Sequence, residues 1–319
     1  MNSSNITFDF IDNPIYSIAY KVSGVLATIC GLTSMFLILR NSPNIFGYYK
    51  YFLFNIAFWS FVFDMHMTSK NIYLATGCLF GLHIFYGCII SAITVAFFYR
   101  YYAVNRLINQ FLSKRNIVLI ILLHIFYNSI PLASYLVAAE NRFEITQLII
   151  QEYPNVKFYI ENLGCVMLHP EISRPSSLVH VCISIFCFTI SIPVVSTLIY
   201  KTIYALKENQ QYMSAESYRM HRQMLKTLIF QLLIPTCTII LPLTTAIVLW
   251  YSSSEGVPQS AVQSGFILAT THSFTNTMMM LYFFPVYRIA LIEKIRSLQQ
   301  RLISILSISF CKLHQYCLQ

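Results

Sequence analysis

The chain predicts an all-α membrane protein, a seven-transmembrane helix bundle with an amphipathic C-terminal helix. Three observations carry that prediction. Apolar runs of spanning length recur at 18–39, 51–68, 78–103, 117–138, 178–206, 225–251 and 261–286, each near the ~20 residues that cross a ~30 Å hydrocarbon core. Charged residues make up 10% of the 319 positions, against about 25% in ordinary soluble domains. The basic residues also crowd into alternate connectors. The side holding 40–50, 99–116, 200–226 and 287–319 has 16 Lys and Arg, and the side holding 1–17, 69–77, 139–177 and 252–260 has 4.

That asymmetry places the N-terminus outside and the C-terminus in the cytoplasm. It also explains the net charge of +9 without nucleic acid, because the charge belongs to loops at one membrane face. Residues 1–17 form the extracellular N-terminus, 18–288 the membrane domain and 289–319 a cytoplasmic amphipathic helix and tail. The N-terminal stretch has no Lys or Arg, so a cleavable signal lacks its basic region and the first run serves as an uncleaved anchor. Asn2-Ser3-Ser4 and Asn5-Ile6-Thr7 are glycosylation sequons on the outer side.

Taken in order, the second run is the weakest, interrupted by Asp64 and His66. The third opens with Cys78 in TGCLFG and ends FFYRYYAVNR, residues 97–106. Arg100 sits there among Tyr99, Tyr101 and Tyr102, as an interface anchor or as a switch contact at the cytoplasmic face. The outer connector 139–177 carries Cys165. A Cys78–Cys165 bridge would staple that loop over the bundle mouth, the alternative being two unpaired thiols. The sixth run starts basic, with Arg219, Arg222 and Lys226, and contains Gln231, Pro235 and Pro242. Proline in a soluble helix costs roughly 3 kcal/mol. In a bundle the freed carbonyls find neighbouring helices, water or Thr side chains, and Thr236, Thr238, Thr244 and Thr245 lie close by. Seven residues is about two turns, so both kinks bend one face, and the helix reads as a lever. Gln231 is expected to hydrogen-bond to another span, because a lone amide in hydrocarbon is costly. After Pro285, Leu291, Ile292, Ile295, Leu298, Leu302 and Leu306 recur at helical spacing among charged residues, the pattern of a helix on the inner leaflet. Cys311 and Cys317 are palmitoylation candidates or plain thiols.

No P-loop, HExxH, GxSxG or dinucleotide fingerprint occurs, and no cofactor or metal site is expected. The candidates for binding are polar groups inside the apolar runs. Asp64, His66, His83 and His180 fall toward the outer half, His272 and Asn276 near mid-membrane. Together with Tyr86, Thr244 and Thr245 they would line an aromatic cavity open to the outside, suited to a small organic ligand. Each His taken singly is more simply a hydrogen-bonded packing residue.

Four stretches carry a family resemblance: SPNIFGYYKYFLFNI at 42–56, FFYRYYAVNR at 97–106, HRQMLKTLIFQLLIPTCTIILP at 221–242 and HSFTNTMMMLYFFPVYR at 272–288. The chain resembles nematode serpentine chemoreceptors of the Str superfamily, which are G protein-coupled receptors. The sixth-run stretch is the most specific, the last looks like the Srh and Sri branches, and YRY looks like the Str branch. The resemblance implies a small-molecule chemical ligand, a heterotrimeric G protein partner and olfactory signalling in the plasma membrane of sensory cilia. It implies structural or switch roles for Arg100, Gln231, Pro235, Pro242, Tyr287 and Arg288. Tyr101, Arg106, Arg219, Arg222 and Lys226, at the basic cytoplasmic ends of the third and sixth runs, are expected to border the coupling face with them. Tyr99 stands where rhodopsin-like receptors carry an acid before the third-span Arg, so an Arg–acid lock within that helix is unavailable. The competing reading, a membrane transporter or ligand-gated channel, would show internal repeats or paired broken helices, and neither is visible in the sequence.

Overall fold

The computed structural model describes residues 14–68, 75–138, 142–152, 154, 157, 174–252 and 259–317. Twelve α-helices occupy them: α1 (Pro14–Asn41), α2 (Tyr49–Thr68), α3 (Ala75–Val104), α4 (Ile108–Phe111), α5 (Lys114–Ala138), α6 (Arg142–Glu152), α7 (Arg174–Glu208), α8 (Ala215–Pro235), α9 (Leu241–Ser252), α10 (Gln259–Thr270), α11 (His272–Phe283) and α12 (Pro285–Cys317). No strand occurs among the described residues. By length and composition, α1, α3, α5, α7 and the stretch from α8 to Ile240 are long and apolar enough to cross a membrane. α2 and the two-piece α10–α11 stand in the same bundle beside them.

α3 is the axis of that bundle and packs against α2, α5, α7 and α8. Its Ile89, Ile93, Ala96 and Phe97 are fully buried. α1 closes the ring against α2, α10 and α11, and α11 touches α8. The outward faces of α1, α5 and α7 are apolar, with residues such as Ile29, Phe126 and Phe186 well exposed. A soluble domain would hide such side chains, whereas a spanning helix turns them to lipid.

Local chemistry sets the turns between helices. The α1–α2 turn is a 3₁₀ segment, Asn44–Phe46, closed by Gly47 at φ +51°, a left-handed conformation that glycine adopts without steric cost. α3 ends in a Schellman arrangement. The Leu107 amide donates to the Tyr102 carbonyl at 2.8 Å and the Arg106 amide to the Ala103 carbonyl at 3.2 Å. Arg106 holds the left-handed position at φ 60°, which costs a non-glycine residue roughly 1–2 kcal/mol. Its guanidinium donates to the Tyr212 carbonyl at 2.8 Å, which ties the end of α3 to the 3₁₀ turn Asn209–Tyr212 that follows α7. Ser214 caps α8 by accepting from the Ser217 amide, as N-cap serines do. Phe284 is extended, as a residue before proline prefers, and Pro285 then starts α12, the helical position where a missing N–H costs least.

The sixth and seventh spans are not continuous α-helices. α8 ends at Pro235, a π turn covers Thr236–Ile240, and α9 resumes at Leu241. A π turn takes one residue more per turn than α, so Pro235 and Pro242 are not two whole α turns apart, and the expectation of kinks on one face does not hold. The threonines also act differently from expectation. Thr236, Thr238, Thr244 and Thr245 donate to the carbonyls of Leu232, Ile234, Ile240 and Leu241. Those are ordinary i−4 partners, and the carbonyls that the prolines leave behind belong to Gln231 and Thr238. The seventh span breaks at Thr271. Thr270 and Thr271 both turn their hydroxyls onto carbonyls three residues back, at 2.7 Å each, the local competition that ends helices.

Candidate functional site

Arg100 is the centre of the basic end. It lies one turn before the end of α3 and is 3% exposed. Its guanidinium carbon sits 3.5 Å from the ring centroid of Tyr49 on α2 and 5.8 Å from that of Tyr99. One terminal nitrogen contacts the Met224 sulfur, and the other lies 3.4 Å from Nδ1 of His221, both on α8. Tyr49 is itself fully buried, and its hydroxyl donates to the Met224 carbonyl at 3.5 Å. A buried cation with no carboxylate beside it among the described residues is stabilised here by ring faces, which attract guanidinium through their quadrupole. The cage therefore joins three helices, α2, α3 and α8, through one side chain. Beside it, Tyr287 is buried against Phe46 and Phe284 and shares a hydrogen bond of 2.7 Å with Ser42. The remaining residues expected at this end divide by exposure. Arg219, Arg222, Lys226 and Arg288 are exposed, and Tyr101 packs partly buried against the core.

The polar residues expected to line one cavity form separate groups. Between α3 and α7, Nε2 of His83 and Nε2 of His180 lie 3.1 Å apart, and Nδ1 of His180 is 2.8 Å from the Ser134 hydroxyl of α5. Tyr135 stacks on His83 with centroids 5.7 Å apart. Both histidines are half-buried. Between α2 and α11, the Asp64 carboxylate accepts from the Ser273 amide at 2.7 Å, and His272 Nε2 lies 3.0 Å from the Ser60 hydroxyl. Asp64 thus satisfies one of the orphan donors of the half-helix α11 and meets the positive end of its dipole. This seam is closed: Asp64 is 0% and His272 1% exposed. Asp64 Oδ1, His272 Nδ1 and Asn276 Oδ1 have no hydrogen-bond partner among the described residues. It also brings Asp64 to the level of His272 and Ser273, where depth counted along each run had set them apart.

Thr245 and Pro242 belong to a third place, a cleft of ≈290 Å³ between α9 and α10 whose lining includes the exposed Leu241 and Leu249. Thr244 donates to the carbonyls of Ile240 and Leu241 in its own span and to no other group among the described residues. Tyr86 is buried in the core around α3. Gln231 is 4% exposed, and its Oε1 accepts no hydrogen bond among the described residues, so the expected bond to another span is not found there for that oxygen. Asn2, Asn5 and Cys165 lie outside the described residues, and of Cys78 only its place in the first turn of α3 is described. Sequence reading passed over Tyr49, Met224 and His221 in the cage, and Ser134 and Tyr135 beside the histidines. The signals available in advance were helical spacings, Ser60 with Asp64, His272 with Asn276 and His221 with Met224, each pair on one helix face.

A buried arginine at the end of the third helix, a proline-flanked sixth helix rooted in basic residues and partly exposed polar groups at the opposite end together describe a receptor-like bundle. A comparison with curated proteins finds no match. A family model described as "Serpentine type 7TM GPCR chemoreceptor Sri" matches residues 71–291, a span that runs from before α3 into α12 and covers well over half of the chain. The chain belongs to this family of serpentine seven-transmembrane chemoreceptors.

Proposed function

We propose that this chemoreceptor binds a small organic molecule at its extracellular end and activates a heterotrimeric G protein through movement of the sixth span. The observation that carries the reading is the Arg100 cage. A cation buried between α2, α3 and α8 by two aromatic rings and a methionine keeps the basic end shut. It holds only while α8 stays close. Moving α8 outward frees Arg100 and opens a cleft bordered by Arg219, Arg222, Lys226 and Arg288, where a G protein tail can dock. The ligand does this through its greater affinity for the open state. Its contacts are His83, His180 and Tyr135, whose histidines are half-buried and reachable, whereas Asp64, His272 and Asn276 form a sealed seam that holds α2 to α11.

The test is a panel of small molecules applied to cells expressing the chain, with a second messenger as readout. An agonist response that a non-hydrolysable GDP analogue abolishes, and that Arg100→Ala weakens at equal surface density, is the expected result. A ligand-evoked current that survives the analogue assigns the protein to the channels instead.

A further inference from the structure

At the basic end a cleft of ≈460 Å³ opens between the last turn of α1 and the start of α12. Phe36, Arg40 and Asn41 form one wall, and Ala290, Glu293 and Lys294 the other. The walls come from positions more than 240 residues apart, and the Ser42–Tyr287 hydrogen bond of 2.7 Å fixes them together. Lys294 Nζ sits 4.4 Å from the centroid of the Phe36 ring, which holds its ammonium at the cleft. Arg40 is exposed and has no hydrogen bond or ion pair among the described residues. Around the cleft the surface is apolar: Phe36 is 42%, Leu39 46%, Ile289 54% and Ile292 43% exposed. Two cations from different helices therefore converge at a site whose rim is greasy, at the level where α1 ends and α12 begins.

We propose that this cleft binds the headgroup phosphate of an anionic phospholipid. Arg40 offers a planar fork for two phosphate oxygens, and Lys294 a point charge for a third. The Asn41 amide lies beside them. Glu293 opposes an anion and sets a limit on affinity. One acyl chain runs along Phe36 and Leu39, so a soluble phosphate gains only part of the interaction. Such basic pockets between helices on the cytoplasmic side are where lipid headgroups bind. The proposal rests on α12 lying at the membrane surface and is independent of the chemical ligand and of the G protein.

The test uses the full chain purified in micelles doped equally with phosphatidylserine and phosphatidylcholine, with native mass spectrometry counting retained lipid. Phosphatidylserine is retained in preference. Each cation removed weakens retention about fivefold, the ratio set by about 1 kcal/mol per basic residue at a membrane surface. Arg40→Gln with Lys294→Gln therefore loses most of it, while Arg301→Gln on the same helix outside the cleft keeps it. Glu293→Gln, an exposed change that leaves the fold alone, raises it. Equal retention of the two lipids, a double variant indistinguishable from Arg301→Gln, or displacement of the lipid by glycerol phosphate at equal concentration overturns the proposal.

Discussion

Arg100 shows how a residue type that is costly in hydrocarbon becomes affordable through its neighbours. The desolvated guanidinium meets the ring faces of Tyr49 and Tyr99 instead of a carboxylate, and such a contact is worth about 1–2 kcal/mol when water is excluded. In the proposed mechanism, a contact of that size biases a two-state equilibrium and can still be overcome by a ligand. Replacing Tyr49 by Leu keeps an apolar side chain and removes the ring. We expect basal signalling without ligand to rise about 5–30-fold, the factor that 1–2 kcal/mol commands, measured as second messenger at matched surface density. Basal signalling no higher than in the parent chain removes the cage from the mechanism. At the opposite end, His83 and His180 share a contact of 3.1 Å and stay half-buried. His83→Ala and His180→Ala should shift agonist potency about tenfold each, the scale of a lost hydrogen bond to a ligand, and leave surface levels intact. Asp64→Ala should do the reverse, because it strips the amide of Ser273 of its acceptor in a sealed seam. Loss of surface level in the histidine variants would make them packing residues too.

Among the helices, the sixth span has the clearest division of labour. α8 carries the basic root and the contacts to Arg100, and the π turn Thr236–Ile240 separates it from α9. Pro235 is buried at the joint and cannot donate to the Gln231 carbonyl. A segment whose hydrogen bonds are already irregular bends at low cost, and such π turns concentrate at functional positions. Pro235→Ala supplies the missing donor and favours a regular helix. Agonist efficacy should change while ligand affinity stays within about threefold, because the proposed binding contacts lie on other helices and only the coupling between states would be altered. Dose–response and radioligand affinity measured side by side decide it, and unchanged efficacy leaves the hinge without a role. The seventh span breaks for another reason, two threonine hydroxyls that turn back on their own carbonyls. The break lets α11 present its N-terminus to Asp64. The sixth and seventh spans are both interrupted, but they are neighbours in the chain and not corresponding segments of two repeats, which is the arrangement transporters use.

At the scale of the molecule, orientation rests on the 16 basic residues of one side against 4 on the other. The fold is consistent with it in one respect: Arg40, Arg100, Arg106, Arg222 and Lys294 come from four helices or their ends and gather at one end of the bundle. An epitope tag at the N-terminus should therefore stain intact cells without permeabilisation. Staining only after permeabilisation would falsify the receptor orientation and bring back the channel reading.

The sequence by itself determined the class of this protein, because each spanning segment must satisfy its backbone internally and so announces itself as an apolar run of the right length. It also marked the sixth span, since proline's missing donor is a local property. Even the family was legible there and in the last span, where proline, tyrosine and arginine fall at fixed spacing. The tertiary structure decided everything that depends on which faces meet. Nothing local says that Tyr49 reaches Arg100, that Asp64 caps a helix more than 200 residues later, or that Arg40 and Lys294 share a cleft. Nor could spacing show that His83 and His272 would part into separate clusters. A helix of 3.6 residues per turn offers every polar residue a direction, but only packing against neighbours chooses which direction is inward. In a chain this apolar, inward and outward faces are written in nearly the same residues, and the close fit of α3 against four partners tells them apart.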